Sequence, residues 1–208
     1  MSPTSAPESG ELSARLGRPD TGARQRILNA AIEVLKSDGY AGLTNSKVAA
    51  HSGQNKALIA YHFGSKRGLV EHAGYAVAEI ITGEIVKHIE RATTVEALVE
   101  GALEGATAVL NLDERIARVY FDLTAVTVVD VELRKTMSEI KLAFTEVIKR
   151  YLLATEDGPG EDTAGAASVF IIAGLEGLVL ERLNGGETED LAHARRMFIK
   201  AARVAIRP

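Results

Sequence analysis

Residues 42–70 read GLTNSKVAAHSGQNKALIAYHFGSKRGLV, and their spacing decides what this chain builds. Val48 and the small Ala49 come one helical turn before Gly53, and Ile59 follows inside the next periodic segment. A helix-turn-helix needs this order. The first helix must be small where the second crosses it, the tight turn needs a glycine at φ > 0, and a branched aliphatic must fill the space between them. Ile59 and Phe63, one turn apart, then face the core. Asn55, Lys56, Ala57, Leu58, Ala60, Tyr61 and His62 are left pointing outward or sideways. Leu58, Ala60 and Tyr61 exposed on a charged helix make a surface on which something is expected to pack.

Outward from that stretch, the pattern stays helical. Ile27, Ala31, Val34 and Leu35 form one stripe of a helix that Gly39 ends. Thr44–Ser52 and Asn55–Phe63 are expected as short helices, the second capped by Asn55. Gly64 breaks the chain, and Ser65 caps a long helix to about Ala92. Helices over Val95–Leu110, Asp113–Val129, Val131–Ala154, Thr163–Leu183 and Glu189–Ile206 follow, with the acidic EDGPGEDT of residues 156–163 as the clearest internal loop. The β-branched cluster at Ala125–Val131 admits a strand, but no alternating partner run exists to pair with it. The expectation is an all-α chain of about nine helices. Residues 1–20, rich in Ser and Pro and without an apolar core, read as a disordered arm rather than a signal peptide.

Composition narrows the chemistry. At 208 residues the chain is sized for one or two domains. It has no cysteine, which removes disulfides, thiolate metal sites and cysteine nucleophiles. No GxSxG elbow, GxxxxGK[ST] loop, HExxH pair or strand-borne GxGxxG is present. The five histidines show no i,i+4 pairing, so neither a metal nor a cofactor is expected. Charge is uneven. Residues 23–70 carry seven Lys or Arg against Glu33 and Asp38 only, whereas residues 71–208 carry 15 basic against 23 acidic groups. A basic module joined to an acidic one suggests a polyanion partner for the first. The apolar run Ala164–Leu175 stops at Glu176 and reads as a buried helix too short to span a bilayer. A cytoplasmic protein without a membrane partner is expected.

The quoted stretch resembles the DNA-binding signature of the TetR family of bacterial transcription regulators. The matching features are a Thr opening the second helix, a V-A-x-x-S-G turn, the Tyr61-His62-Phe63 ending of the recognition helix and the Ser65-Lys66 start of the fourth. Upstream, RQRILNAAIEVLKSDGYAGLT (residues 24–44) is similar to the family's first helix, including its Gly39-Tyr40 exit. The chain departs from the pattern at Gln54, Ala57, Leu58 and Ala60. By position, the resemblance implies that Thr44, Ser46 and Lys66 meet phosphate, and that Lys56, Tyr61 and His62 touch the major groove or its walls. Lys56 and Asn55 suit directional reading of base edges, while Ala57, Leu58 and Ala60 offer apolar contact to thymine methyls.

The rest follows the family in layout. The helix over Thr163–Leu183 is apolar nearly all round, so it must be covered by the chain itself or by a two-fold mate. In the family the last two helices form a dimer interface. Phe170, Gly174, Gly177, Met197, Phe198 and Ala201 are the corresponding positions. Tyr120, Phe121, Thr124, Thr127, Met137 and Phe144, with Ile81, Ile85 and His88 from the long fourth helix, are either plain core or the family's effector pocket. These expectations divide the chain into an arm (1–20), a three-helix DNA-binding domain (21–66) and a larger helical effector-binding and dimerisation domain (67–208). The implied protein is a homodimeric, non-enzymatic repressor of a palindromic double-stranded DNA operator, released by a small, largely apolar effector. Two readings compete: an activator of the same type, and an all-α ligand-binding protein or enzyme keeping the module as structure.

Overall fold

The computed structural model describes residues 22–206, so the expected arm lies outside the described residues. Among the described residues there are eight helices and no strand: α1 (Gly22–Gly42), α2 (Asn45–Ser52), α3 (Lys56–Phe63), α4 (Lys66–Ile89), α5 (Val95–Val126), α6 (Val131–Leu153), α7 (Glu161–Gly185) and α8 (Glu189–Ala205). The count falls one short of nine because the two helices expected around Asp113 join end to end as α5. The break survives as a kink, with Asp113 at φ −164°, ψ 102°. Its carboxylate accepts the Arg115 N–H at 3.1 Å and so starts the second half of the helix. The valine-rich 125–131 stretch is a helix end and turn. Asp130 Oδ1 accepts the N–H groups of Glu132 and Leu133 at 3.1 and 3.0 Å, capping α6 in place of any ladder.

The described residues divide into two compact units. The first comprises residues 22–79 together with Val119–Met137. Here α1 packs on α2 and α3, and α2 packs on α3. The stripe of Ile27, Ala31, Val34 and Leu35 is buried as its spacing predicts, along with Leu43, Val48, Ile59 and Phe63. Fully burying each such side chain stabilises the unit by roughly 1.5–3 kcal/mol. Gly39 holds φ 67°, ψ −176°, a backbone region open essentially to glycine alone.

The second unit holds Ile80–Arg118 and the described residues from Ser138 onward. Its core joins Ile89 of α4 to Leu98 and Ala102 of α5, Leu152 of α6, Ile171 of α7 and Ala202 of α8. The acidic loop is tied down. Asp157 Oδ1 accepts the Val95 N–H at 2.7 Å, and the Glu156 N–H donates to the Thr93 carbonyl at 2.8 Å. Helix α7 is longer than its apolar run and, by length and composition alone, sufficient to cross a membrane. One flank (Ala164, Ala167, Ser168, Ile171, Ile172, Leu175) is buried in this core, and Glu176 pairs with Lys141 at 3.0 Å. That flank marks α7 as a core helix of this unit. Only a third of its apolar stretch is buried within the chain.

Candidate nucleic-acid interface

Three local devices hold the recognition element. Thr44 Oγ1 accepts the Lys47 N–H at 3.3 Å and opens α2. Gly53 ends α2 in the left-handed conformation (φ 66°, ψ 19°), where a Cβ would be strained. Asn55 Oδ1 accepts the Leu58 N–H at 2.8 Å and opens α3. The last bond engages the Asn55 acceptor, leaving Nδ2 rather than Oδ1 for a partner.

Helix α3 is divided as the spacing requires. Ile59 and Phe63 are buried, at 1% and 6% exposure. Lys56, Ala57, Ala60 and Tyr61 are exposed, Leu58 and His62 half-buried. Phe63 is pinned from two sides. The Arg24 guanidinium lies 5.3 Å from its ring centroid, and the His72 ring meets it edge-on at 5.3 Å. His62 stacks edge-on against Tyr61 at 5.1 Å. Sequence reasoning missed Arg24 and His72, because nothing in their own segments marks them as neighbours of α3.

The basic charge of residues 23–70 is partly neutralised in place. Lys36 pairs with Glu33 at 2.8 Å and Lys47 with Asp38 at 2.6 Å. The Lys47 hydrogen bond holds the Asp38 carboxyl below its usual range. Arg67 reaches Asp130 at 3.6 Å and Glu132 at 3.5 Å. Among the described residues Lys56 and Lys66 form no ion pair with a carboxylate. Ser65 Oγ accepts the Gly68 N–H at 3.1 Å, so Lys66 sits at the capped start of α4. Its Nζ lies 5.1 Å above the Tyr40 ring. Burial pushes the Tyr40 phenol up, and the nearby Asp130 charge adds to it. Asp130 itself is held low, chiefly by the Leu133 N–H and then by Arg67.

The outer face of α3 therefore offers one exposed cation, one phenol and a row of methyl-bearing side chains, and Ser46 of α2 is exposed as well. That set suits a major groove, with apolar contact to thymine methyls and a single directional reader in Lys56.

The other expected site residues are spread over both units. Tyr120, Phe121, Thr124, Thr127 and Met137 belong to the first. Tyr120 and Met137 are buried, and the hydroxyls of Thr124 and Thr127 donate to the carbonyls of Tyr120 and Thr124 at 2.8 and 2.7 Å. Ile81, Ile85, His88 and Phe144 belong to the second. There Ile85 and Phe144 pack against one core, while His88 is exposed with Nδ1 2.8 Å from the Glu84 carbonyl. On α7 and α8, Phe170 and Phe198 stack at 5.6 Å, and Phe170, Gly177, Met197 and Ala201 are exposed. Gly174 faces inward, where a Cβ would collide with the Phe198 ring of the same chain.

A buried aliphatic plug, a left-handed glycine turn and an exposed second helix define a helix-turn-helix DNA-binding protein, here with a second all-helical unit. Residues 27–73 match the family of bacterial regulatory proteins, tetR family. The HTH-type transcriptional regulator LmrA of Bacillus subtilis (strain 168) is 26% identical over 174 residues, covering 82% of this chain and 92% of that protein. Among solved structures, a member of the TetR family from Streptomyces coelicolor A3 superposes with a TM-score of 0.68 at 23% identity, covering 86% of this chain and 98% of that one. The multidrug binding protein EbrR, complexed with imidazole, superposes with a TM-score of 0.68 at 23% identity, covering 87% and 90%. A transcriptional regulator from Rhodococcus sp. Rha1 reaches 0.72 at 16% identity, covering 88% and 97%. The family match over residues 27–73 and the likeness to LmrA support a tetR-family transcriptional regulator.

Proposed function

We propose that the protein is a cytoplasmic homodimeric repressor that occupies a near-palindromic operator and is released by a small, largely apolar effector. The observation that carries this reading is α3: Ile59 and Phe63 anchor it, and Lys56, Ala57, Ala60 and Tyr61 face outward. DNA contact is assigned to residues 21–66, and effector binding and dimerisation to residues 67–208. Two copies, each with one recognition helix, require half-sites on the same side of the duplex. The exposed apolar faces of α7 and α8 support the dimer. The multidrug binding named for EbrR supports an effector of the same broad kind. Helix α4 carries groups of both assigned roles, with Lys66 at its start and Ile81, Ile85 and His88 in its second half.

Selection of bound duplexes from random DNA, followed by footprinting, tests the reading. A two-fold symmetric footprint is expected; no selected sequence would sink it. On that duplex, Lys66→Ala should weaken binding to all sequences and lower the salt slope by about one unit. Lys56→Ala should in addition relax base preference at one position per half-site. Uniform loss at every sequence for both variants would contradict the separate roles. A true effector must weaken DNA binding by the same factor by which DNA weakens effector binding, typically about 5–150-fold. A small molecule that binds tightly and leaves DNA affinity unchanged would remove the release step.

A further inference from the structure

We propose that Asp122 is a positioning residue for DNA binding: its carboxylate holds the exit of α1 in the conformation that recognition requires. The inference rests on the DNA-binding reading and assigns a role to a residue outside the helix-turn-helix. Asp122 Oδ2 accepts the backbone N–H of Tyr40 at 2.6 Å, across 82 residues of sequence. Gly39 makes this possible. Its φ of 67° turns the following N–H away from the helix direction, and a Cβ at position 39 would come within 3.1 Å of the same carboxylate oxygen. A backbone N–H bonded to an ionised carboxylate is among the stronger hydrogen bonds a protein makes.

Tyr40 then serves as a joint. Its ring carries the Lys66 ammonium at 5.1 Å, and its hydroxyl lies 3.5 Å from Asp130 Oδ2, in the segment that also holds Asp122. The Leu43 N–H donates to the Tyr40 carbonyl at 3.3 Å, immediately before Thr44 opens α2. One carboxylate thereby sets the origin of α2 and the place of Lys66 together. Neither can shift freely while the Tyr40 N–H stays bonded.

The sign of the effect separates this role from plain electrostatics. Removing a negative charge from a DNA-binding unit should by itself strengthen binding. Loss of the clamp should weaken it. In the full-length protein, on a duplex selected by the wild type and at fixed salt, Asp122→Ala is expected to bind about ten-fold more weakly. Asp122→Asn keeps an acceptor oxygen and should fall between. Hydrogen exchange at the Tyr40 amide should accelerate in Asp122→Ala. Val77→Ala, a buried substitution in the same unit that alters none of these hydrogen bonds, sets the scale for mere destabilisation. Unchanged or tighter binding by Asp122→Ala overturns the proposal. So does an equal loss in Val77→Ala at the same drop in Tm, or an unaltered Tyr40 amide. A wild type that selects no DNA overturns both this inference and the reading beneath it, whereas a binding wild type with an indifferent Asp122→Ala overturns this inference alone.

Discussion

Ile59→Ala is expected to lower stability by roughly 2–5 kcal/mol and to abolish sequence-selective DNA binding in the same step. Ile59 is 1% exposed and is one of only two buried side chains that α3 contributes; the other is Phe63. An isolated helix of eight residues has no stability of its own in water, so α3 exists because its buried face is held. Truncating the plug leaves a cavity under α3, and the loss is a large share of the roughly 5–15 kcal/mol that holds a typical domain. Ala60→Ser, on the exposed face of the same helix, should leave stability within about 0.5 kcal/mol and change only binding. Chemical denaturation of both variants, set beside duplex binding, checks the pair. An Ile59→Ala protein with an unshifted midpoint, or with wild-type affinity, would mean that the plug does not position the recognition helix.

Met197→Glu is expected to convert the proposed dimer to folded monomer. Met197 is 59% exposed within the chain, so a charge there costs the monomer little. Phe170, Leu180 and Val204 are further exposed apolar side chains of α7 and α8. Two-fold symmetry would bury the new carboxylate twice in apolar surroundings, at several kcal/mol per copy without a partner. Losing the second recognition helix should then reduce operator affinity by about 10²–10⁴, the usual gain from linked binding. Gly177→Leu is the gentler companion. Open space surrounds a Cβ at 177 within the chain, so overpacking of about 1–3 kcal/mol per copy would arise only against a partner. Gly174→Leu does not test the interface, because a side chain there strikes Phe198 of its own chain and damages the α7–α8 contact first. Light scattering showing an intact dimer for both Met197→Glu and Gly177→Leu would move the interface off this face.

The helix-turn-helix was legible from residues 42–70 because each of its determinants acts over a few residues. Thr44 and Asn55 cap their own helices, Gly53 supplies its own left-handed turn, and Ile59 and Phe63 share a face by being one turn apart. The stripe of α1, the Ser65 cap and the break at Asp113 were readable for the same reason. What the linear pattern could not determine depends on residues distant in sequence. Asp122 against Tyr40, Arg24 over Phe63 and Arg67 between Asp130 and Glu132 are each made by elements whose local composition is silent about the partner. An apolar stripe looks alike whether it lines a pocket, fills a core or meets a second chain. Only packing showed Gly174 turned toward Phe198, Gly177 turned to open space, and the hydroxyls of Thr124 and Thr127 already bonded to carbonyls of α5. Short-range geometry is written in neighbouring residues. Which of two apolar faces is covered, and which charge is neutralised, is decided by what the rest of the chain brings against it.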